Sequence, residues 1–420
     1  MRTHLIRRSV AVILFVAPFL YMLPALSTST AAEEAGKVPE FRVQEIEKSL
    51  GVGYAVLLVD VNDDGKKDIV VVDQRRVVWY ENPTWKRRSM IEGQTAPDNV
   101  SISAADIDGD GKLDFALGAG WNPSNTKSGG TLQWLRRGAT LDEPWTVLPI
   151  GAEPTLHRIR FADLDGSGKP ALLVVPLMGR DSTGAKNHMD GQPVRVLAYR
   201  IPKDPVRDRW QADVLDETMH VIHNFFPIPA PSGKGMDVLT ASYEGVSLLS
   251  RDGGKWTRHP VGAGDQSQPD KSRGSSEIKR GRLKNGRPFL ATIEPWHGNQ
   301  VVVYTPPADV AGLWDRHVLD NKLKWGHAVW CADLDGDGGD ELIIGVRDNL
   351  SKNSGEKCGV RIYKPTDDKG TQWQSHLLDE GGVAVEDLAA ADLDGDGRID
   401  LIAVGRQTKN LRVYWNEAKK

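Results

Sequence analysis

The hexad Phe41-Arg-Val-Gln-Glu-Ile46 stands alone near the start of the chain, and six hexads that begin with tryptophan follow it. These are Trp85–Met90, Trp145–Ile150, Trp210–Leu215, Trp256–Val261, Trp314–Leu319 and Trp373–Leu378. Each of the six ends a unit of roughly 40–65 residues, the range of repeats that form one propeller blade each. The last unit stops at Leu411-Arg-Val-Tyr-Trp415 without a hexad. We therefore expect the first hexad to complete that unit and close a ring without exposed sheet edges.

The pattern inside one unit is that of four strands. His327–Ala332, Leu342–Val346, Val360–Tyr363 and the hexad from Trp373 are short β-branched runs separated by glycine and aspartate. One repeat period continues through residues 33–420, and 40% of the 420 residues are hydrophobic. The sequence therefore predicts a single all-β domain. We expect a seven-bladed β-propeller with four-stranded blades, in which the N-terminal strand joins the last blade.

Residues 1–32 have the composition of a secretory signal peptide. Arg2, Arg7 and Arg8 precede an almost wholly apolar run from Val10 to Leu26, and small residues follow it. An uncleaved membrane anchor is the alternative. We expect a secreted, periplasmic or cell-envelope protein with no membrane span after cleavage. The net charge of −4 and the lack of a basic stripe argue against a nucleic-acid partner.

Four loops carry oxygen-bearing side chains at their first, third, fifth and ninth positions. They are Asp60/Asn62/Asp64/Asp68, Asp106/Asp108/Asp110/Asp114, Asp333/Asp335/Asp337/Glu341 and Asp392/Asp394/Asp396/Asp400. Alternate side chains of a tight loop converge, and oxygen ligands at this density suit Ca²⁺. No helical pattern flanks the loops, which excludes an EF-hand. The sequence predicts several calcium sites, each of which pins the turn between the first two strands of a blade.

These repeated Asp-x-Asp-x-Asp-Gly loops resemble the FG-GAP/VCBS repeats, whose seven-bladed propeller is also used by integrin α-subunits. The resemblance covers about residues 41–420. It implies a calcium-binding propeller and says little about activity, because one fold serves many functions.

Stepping back six residues from each acidic loop aligns the inner strands of the predicted ring. The aligned residues include His157, His223, His327 and Glu386, which we expect at one mouth of the central channel. Three imidazoles and a carboxylate, with His297 close by, are ligands typical of Zn²⁺ or a similar transition metal with an open position. The alternative is a wet channel mouth whose polar side chains only bind water.

The segment Glu294-Pro-Trp-His-Gly-Asn-Gln-Val-Val-Val-Tyr304 resembles the propeller domain of aldos-2-ulose dehydratase-type lyases, which dehydrate keto-sugars at a metal-assisted site. The resemblance implies that His297 and the set His157, His223 and His327 are metal-site candidates.

That chemistry assigns roles to the neighbouring side chains. A metal polarises the ketone, and Glu294, Glu386 or an unligated histidine takes the α-proton. Arg347 and Arg406 hold developing negative charge or anchor hydroxyls. The aromatic residues Trp296, Trp121 and Tyr243 stack on a sugar ring.

The sequence leaves two functions open. One is a metal-dependent carbohydrate lyase that dehydrates a keto-sugar. The other is a non-catalytic, calcium-stabilised module that binds a glycan or a protein partner through the same face of the propeller.

Overall fold

The computed structural model describes residues 37–308, 312–347 and 357–417. The predicted signal peptide at residues 1–32 lies outside the described residues. The described chain forms seven antiparallel sheets of four strands each, with a single 3₁₀ turn at Gly184–Lys186. In the described ranges no helix has the length and apolar character needed to cross a membrane.

The first three complete blades follow each other along the chain. Blade 1 is β2 (Gly53–Val59), β3 (Asp68–Asp73), β4 (Arg76–Glu81) and β5 (Lys86–Glu92). Blade 2 is β6 (Ser101–Ala105), β7 (Asp114–Ala119), β8 (Thr131–Arg136) and β9 (Thr146–Ala152). Blade 3 is β10 (Leu156–Ala162), β11 (Ala171–Pro176), β12 (Val194–Arg200) and β13 (Gln211–Met219).

Blades 4 to 6 have the same internal order. Blade 4 is β14 (Asn224–Pro229), β15 (Met236–Ser242), β16 (Gly245–Asp252) and β17 (Lys255–Gly262). Blade 5 is β18 (Lys279–Arg282), β19 (Pro288–Glu294), β20 (Gln300–Thr305) and β21 (Asp315–Asp320). Blade 6 is β22 (Gly326–Ala332), β23 (Glu341–Val346), β24 (Gly359–Pro365) and β25 (Trp373–Glu380).

Blade 7 is built from both ends of the domain. It contains β26 (Val385–Ala391), β27 (Asp400–Gly405), β28 (Leu411–Glu417) and, as its outer strand, β1 (Glu40–Glu47). β1 pairs antiparallel with β28, so the hexad at residue 41 occupies the place that the sequence assigned to it. Arg412 Nε donates to Glu45 Oε2 at 2.8 Å across this pair, and Trp415 Nε1 donates to Gln44 Oε1 at 2.8 Å.

The core lies between the blades rather than at the ring axis. β-Branched and leucine side chains of the second and third strands face those of the next blade, and each aromatic residue that starts a hexad packs against one of these clusters. A cluster between blades 7 and 1 joins Ile402 and Val413 to Val71 and Tyr80. The predicted seven-bladed, four-stranded all-β propeller is confirmed. The inner strands of all blades therefore surround one channel.

Candidate active site

Three histidines from neighbouring blades converge at the channel mouth where the inner strands begin. His223 immediately precedes β14, His297 lies in the connection between β19 and β20, and His327 lies in β22. One ring nitrogen from each lies within 4.8 Å of the others. His297 Nε2 is 2.8 Å from His223 Nε2, and the ring centroids of His223 and His297 lie 5.1 and 5.0 Å from that of His327. The three imidazoles thus form one cluster, which we call the histidine cluster.

The orientation of two of these rings is set by their outward nitrogens. His223 Nδ1 lies 2.9 Å from Glu277 Oε1 and 3.2 Å from the carbonyl oxygen of Ser276. His327 Nδ1 lies 2.5 Å from the carbonyl oxygen of Glu386. Because Nδ1 is engaged in both, Nε2 of each ring faces the cluster. Metal-binding histidines are held in this way by a carboxylate or carbonyl behind them.

His297 is held by its backbone and by a neighbouring ring. Its φ of 50° lies in the left-handed region, which is uncommon outside glycine and is found at functional sites. The indole of Trp296 stacks on its imidazole with a centroid distance of 4.3 Å and an interplanar angle of 13°. The short connection between β19 and β20 therefore presents His297 over the channel.

Burial keeps the cluster in its neutral form. Desolvation lowers the pKa of His297 and His327 well below the ordinary value, and the charge of Arg347 lowers both further. Burial also lowers the pKa of His223, which hydrogen bonding to Glu277 opposes. The neutral imidazole is the form that binds a metal ion.

His157, a predicted ligand, lies beside the cluster. Its ring centroid is 4.8 Å from that of His223, but its Nδ1 lies 3.0 Å from the carbonyl oxygen of His223. Its Nε2 lies 3.1 Å from Nη1 of Arg158. The structure thus brings together two of the three predicted ligands, His223 and His327. It adds His297, which the resemblance to the dehydratase propeller had named as a further metal-site candidate.

Glu386 lies at the mouth as predicted, and both predicted arginines bind it. Arg347 Nη1 donates to Glu386 Oε2 at 3.0 Å, and Arg406 Nη1 donates to Oε1 at 3.0 Å. His327 Nε2 is 3.9 Å from the same Oε1. The carboxylate therefore joins the two guanidinium groups to the histidine cluster.

The placement of Glu294 contradicts its predicted role as a base. The side chain is fully buried, and Oε1 accepts from Tyr304 Oη at 2.7 Å and from Ser275 Oγ at 2.8 Å. Oε2 accepts from Arg316 Nε at 2.8 Å. The blade interior, and not the channel, surrounds this carboxylate. Burial raises its pKa, and the charge of Arg316 opposes that effect.

Two of the three predicted sugar-stacking rings border the site. Trp296 lies against His297, and the ring centroid of Trp121 is 4.8 Å from that of His157. Tyr243 is only 3% exposed and donates its hydroxyl to Asn187 Oδ1 at 3.2 Å. It supports Trp296 at a centroid distance of 6.3 Å. The prediction that Tyr243 stacks on a sugar is therefore wrong, because its ring is covered.

Below the cluster lies a charged layer that the sequence analysis missed. It contains Arg158, Arg160, Glu277, Lys279 and Asp387. Arg158 directly follows the aligned residue His157, and Asp387 directly follows Glu386. This adjacency was the sequence signal that could have placed both residues next to the channel. Glu277 and Lys279 had no such marker, because blade 5 lacks the acidic loop that set the alignment.

Three of the acidic loops group their carboxylates as a metal site would. Each group joins the first, third and ninth positions of its loop, with oxygens within 4.8 Å of one another. The groups are Asp106/Asp108/Asp114, Asp333/Asp335/Glu341 and Asp392/Asp394/Asp400. The predicted calcium occupancy of these loops remains a prediction.

The fifth position of these three loops departs from the predicted ligand sets. Asp110, Asp337 and Asp396 lie outside the groups that the other carboxylates form. Each instead accepts through Oδ1, at 2.9 Å, from the backbone nitrogen two residues farther along the chain. The Asp396 carboxylate also binds the guanidinium of Arg398. One oxygen of each fifth-position carboxylate thus binds its own loop, and the predicted role of Asp110, Asp337 and Asp396 as calcium ligands stays a prediction.

The blade 1 loop departs further, because its predicted ligands form no such group among the described residues. Asn62 Nδ2 donates to Asp64 Oδ2 at 3.1 Å, and Asn62 Oδ1 accepts from the backbone nitrogen of Asp64 at 3.2 Å. The Asp60 carboxylate accepts from the backbone nitrogens of Asp64 and Gly65 at 3.1 and 2.7 Å. These side chains bind one another and the loop backbone, and the predicted calcium set Asp60/Asn62/Asp64/Asp68 stays a prediction.

The ninth position of a loop is also a structural anchor. Asp68 accepts from the backbone nitrogens of Val61 and Asn82 at 2.9 and 2.8 Å. Asp400 does the same with Leu393 and Asn416 at 3.0 and 2.9 Å. These carboxylates tie the loop to the end of the third strand. Burial raises the pKa of Asp68 and of Asp400 to about 6.

Comparison with known proteins gives two family matches. A family model described as the aldos-2-ulose dehydratase β-propeller domain matches residues 129–307. A model of FG-GAP-like repeats matches residues 60–117 and 333–403. Both resemblances are confirmed. The first match contains His223 and His297, and the second contains the four acidic loops.

A curated relative is aldos-2-ulose dehydratase of Phanerodontia chrysosporium, with 31% identity over 296 residues. The match covers 66% of this chain and 32% of that protein, so the chain spans about a third of the relative's length. Similar solved structures include those of BBS1N in complex with ARL6DN, soaked with mercury or with lead. They have TM-scores of 0.52, identities of 12% and 13%, and coverage of 92% and 91% of this chain and 98% of theirs. At that identity the likeness shows the fold alone.

Proposed function

We propose that this protein is a metal-dependent dehydratase of keto-sugars that acts at the mouth of the propeller channel. The observation that carries the proposal is the histidine cluster, in which three neutral imidazoles converge beside Glu386. The similarity to aldos-2-ulose dehydratase supports a sugar-dehydratase propeller and gives the reaction class. Calcium in the acidic loops and export directed by residues 1–32 are further parts of the proposal.

The residues present fit a transition metal. His223, His297 and His327 offer three neutral nitrogens, and Glu277 and a backbone carbonyl support two of the rings from behind. Three protein ligands leave a coordination position for substrate, as in catalytic zinc sites. Such an ion would polarise the ketone and stabilise the enolate that forms from it.

His157 is the group best placed to move the proton. Its Nδ1 hydrogen donates to the carbonyl oxygen of His223, so the lone pair lies on Nε2. Burial lowers the pKa of His157 well below its ordinary value, followed by the charge of Arg158, so the ring is neutral at pH 7. Arg158 Nη1 lies 3.1 Å from His157 Nε2 and would have to turn toward the substrate to free the lone pair. Nε2 then takes the hydrogen from the carbon beside the ketone, and the electron pair of that bond forms the enolate.

The second half of the elimination returns this proton. The enolate reforms the ketone and a carbon–carbon double bond as hydroxide leaves the β-carbon. The departing oxygen takes the proton from His157 Nε2, and the products are one unsaturated ketone and one water. Arg347 and Arg406, aligned by Glu386, lie where they can bind substrate hydroxyls.

The test separates metal binding from proton transfer. His223→Ala should remove the one tightly bound transition metal per chain, measured by elemental analysis after dialysis against a chelator and then against calcium. His157→Asn should keep that metal and lower water loss from a keto-sugar by about 10²–10⁴-fold, the usual contribution of a general base. His259→Ala, on the exposed face of β17, is the control and should change neither quantity. A protein that holds only calcium, or an active His223→Ala variant, would refute the proposal.

A binding module remains the second candidate, because residues 60–117 and 333–403 match FG-GAP-like repeats, whose resemblance says little about chemistry. The partly buried rings of Trp121 and Trp296 at the mouth suit a glycan. Tight glycan binding without loss of water from any keto-sugar would favour this candidate. Secretion is tested separately by the N-terminal sequence of the exported protein, which should begin near residue 33.

A further inference from the structure

Three cationic side chains of the charged layer form no direct ion pair with a carboxylate among the described residues. Arg158 Nη1 meets His157 Nε2, while Arg160 Nη1 donates to Asn224 Oδ1 at 2.9 Å and to the Phe225 carbonyl at 2.7 Å. Lys279 Nζ donates only to the carbonyl oxygen of Ile278, at 3.4 Å. In the part of the chain that the structure describes, none of the three forms an ion pair. The layer thus sets three positive charges against the two carboxylates Glu277 and Asp387, which act on the cations without a direct ion pair.

The carboxylates of the same region are already engaged. Glu277 binds His223 Nδ1 and accepts from Asn224 Nδ2 at 2.5 Å. Asp387 accepts from the backbone nitrogens of Val56 and Leu388 at 3.1 and 3.0 Å. Glu386 is bound by the two arginines at the mouth. Glu277 and Asp387 therefore offset two of the three cations from a distance, and one positive charge of the layer is left over.

Lys279 is the most deeply buried of the three, so its charge has the largest desolvation cost. It is 5% exposed, and its ammonium lies 4.7 Å from the ring centroid of Phe226 and 5.3 Å from that of Trp330. Aromatic faces compensate a buried ammonium only in part. Burial, followed by the charge of Arg160, lowers the pKa of Lys279 to about 8, and Glu277 and Asp387 oppose this shift. Buried groups with strongly shifted pKa values cluster at functional sites.

Resting on the proposed dehydratase function, we infer that the substrate is an acidic keto-sugar whose carboxylate binds among Arg158, Arg160 and Lys279. Its ketone then lies at the histidine cluster. A neutral sugar offers hydroxyls, which hydrogen-bond a buried ammonium without neutralising it. A carboxylate forms charge-assisted hydrogen bonds with guanidinium and ammonium groups alike. The arrangement therefore selects by charge as well as by shape.

The matched probes are D-fructuronate and D-fructose, two keto-sugars that differ only in a carboxylate or a hydroxymethyl group at the carbon farthest from the ketone. Titration calorimetry should show D-fructuronate binding roughly ten- to a hundredfold more tightly, as expected for one added charge-assisted contact. Lys279→Met should reduce this ratio at least about tenfold by the same reasoning. Lys255→Met, which removes an exposed lysine of β17, should leave it unchanged.

The wild-type protein supplies an independent measurement. Raising the pH through about 8 deprotonates Lys279 and should lower the affinity ratio, while D-fructose binding stays constant. Equal affinities for the two sugars, or a ratio that neither Lys279→Met nor the pH change lowers, would overturn the inference.

Water release distinguishes this inference from the proposed function. A Lys279-dependent preference for D-fructuronate without water loss supports acid recognition and refutes the dehydratase. Equal binding of both sugars, with water loss from both, refutes acid recognition and supports the dehydratase.

Discussion

Replacing Lys364 by methionine should make the stability of blade 6 depend on bound calcium. Lys364, in β24, is buried against the acidic loop of its blade, where its Nζ donates to Asp335. The same nitrogen is 3.7 Å from Asp337 Oδ2 and 3.8 Å from Glu341 Oε1. In blade 7 the residue after Tyr414 is Trp415, which brings no charge to the corresponding loop. In blade 6 a buried cation thus lies against the loop, whereas the corresponding position of blade 7 has none, and we predict that the blade 7 loop binds calcium there instead.

The magnitude follows from these distances. Unit charges at 3.7 Å, the separation of Lys364 Nζ from Asp337 Oδ2, interact by about 4 kcal/mol at an effective dielectric constant of about 20. The free-energy cost of desolvating the ammonium opposes the summed Coulomb energy of these contacts. Removal of one partner from a buried ion pair costs about 3–5 kcal/mol, and we expect Lys364→Met to lower the free energy of unfolding by that amount in a chelator. Burial already raises the pKa of Glu341 to about 8.

The assay is urea unfolding of Lys364→Met, wild type and Lys255→Met, each with EDTA and with calcium in excess. In the variant, a vacated loop that gains Ca²⁺ should recover about 2.7 kcal/mol at a hundredfold excess over its dissociation constant. Lys255→Met should match wild type in both conditions. The reasoning is refuted if Lys364→Met is as stable as wild type in EDTA, or if calcium restores no more stability to it than to wild type.

Three further outcomes are expected. Lys279→Met should raise the free energy of unfolding at pH 7 by about 3 kcal/mol, because the pKa of Lys279 is about 8 in the folded protein and 10.5 in the unfolded chain. This gain in stability should shrink as the pH rises from 8 to 10.5. A gain that does not change with pH would contradict the prediction. Tyr304→Phe should lower the free energy of unfolding by about 1–3 kcal/mol in thermal or urea melts, since Glu294 loses a donor inside the blade, whereas an unchanged value would show that Arg316 and Ser275 suffice. Deleting residues 1–47 removes β1 and exposes the edge of β28, so light scattering should detect self-association; a soluble monomer would show that this edge is protected by other means.

The fold could be predicted because its signals repeat. Hexads recur with each blade and acidic loops with several of them, and the unmatched hexad at Phe41 supplied the strand that the last repeat unit lacks. The alignment from the acidic loops also placed His327 and Glu386 correctly at the channel mouth, where they lie 3.9 Å apart. A repeat gives register as well as architecture.

The rest of the site depended on facts that a repeat does not encode. Strand alternation turns Glu294 toward Tyr304 and Arg316 within the blade, and one residue of register separates that direction from the channel. His297 reaches the cluster through a left-handed backbone at a connection, which no strand pattern predicts. Glu277 was missed because blade 5 has no acidic loop from which to count.

The acidic loops show the same limit at a smaller scale. Their spacing predicts which side chains lie on the inside of the turn, but it does not say whether each carboxylate faces a common point or its own backbone. Asp110 and Asp396 occupy the expected position and nevertheless bind the loop amide two residues on, because a short aspartate side chain reaches that nitrogen easily.

The pairing of β1 with β28 has a mechanical consequence. Glu40 lies opposite Glu417, so the chain enters the strand pair and leaves it at the same end. Tension between the two termini would load the hydrogen bonds between β1 and β28 one after another, in the unzipping geometry. It would not load them all at once, as in shear. We expect the ring to part first at this seam, at low force. In a protein held at both termini, blade 7 would thus be the first blade to separate under force.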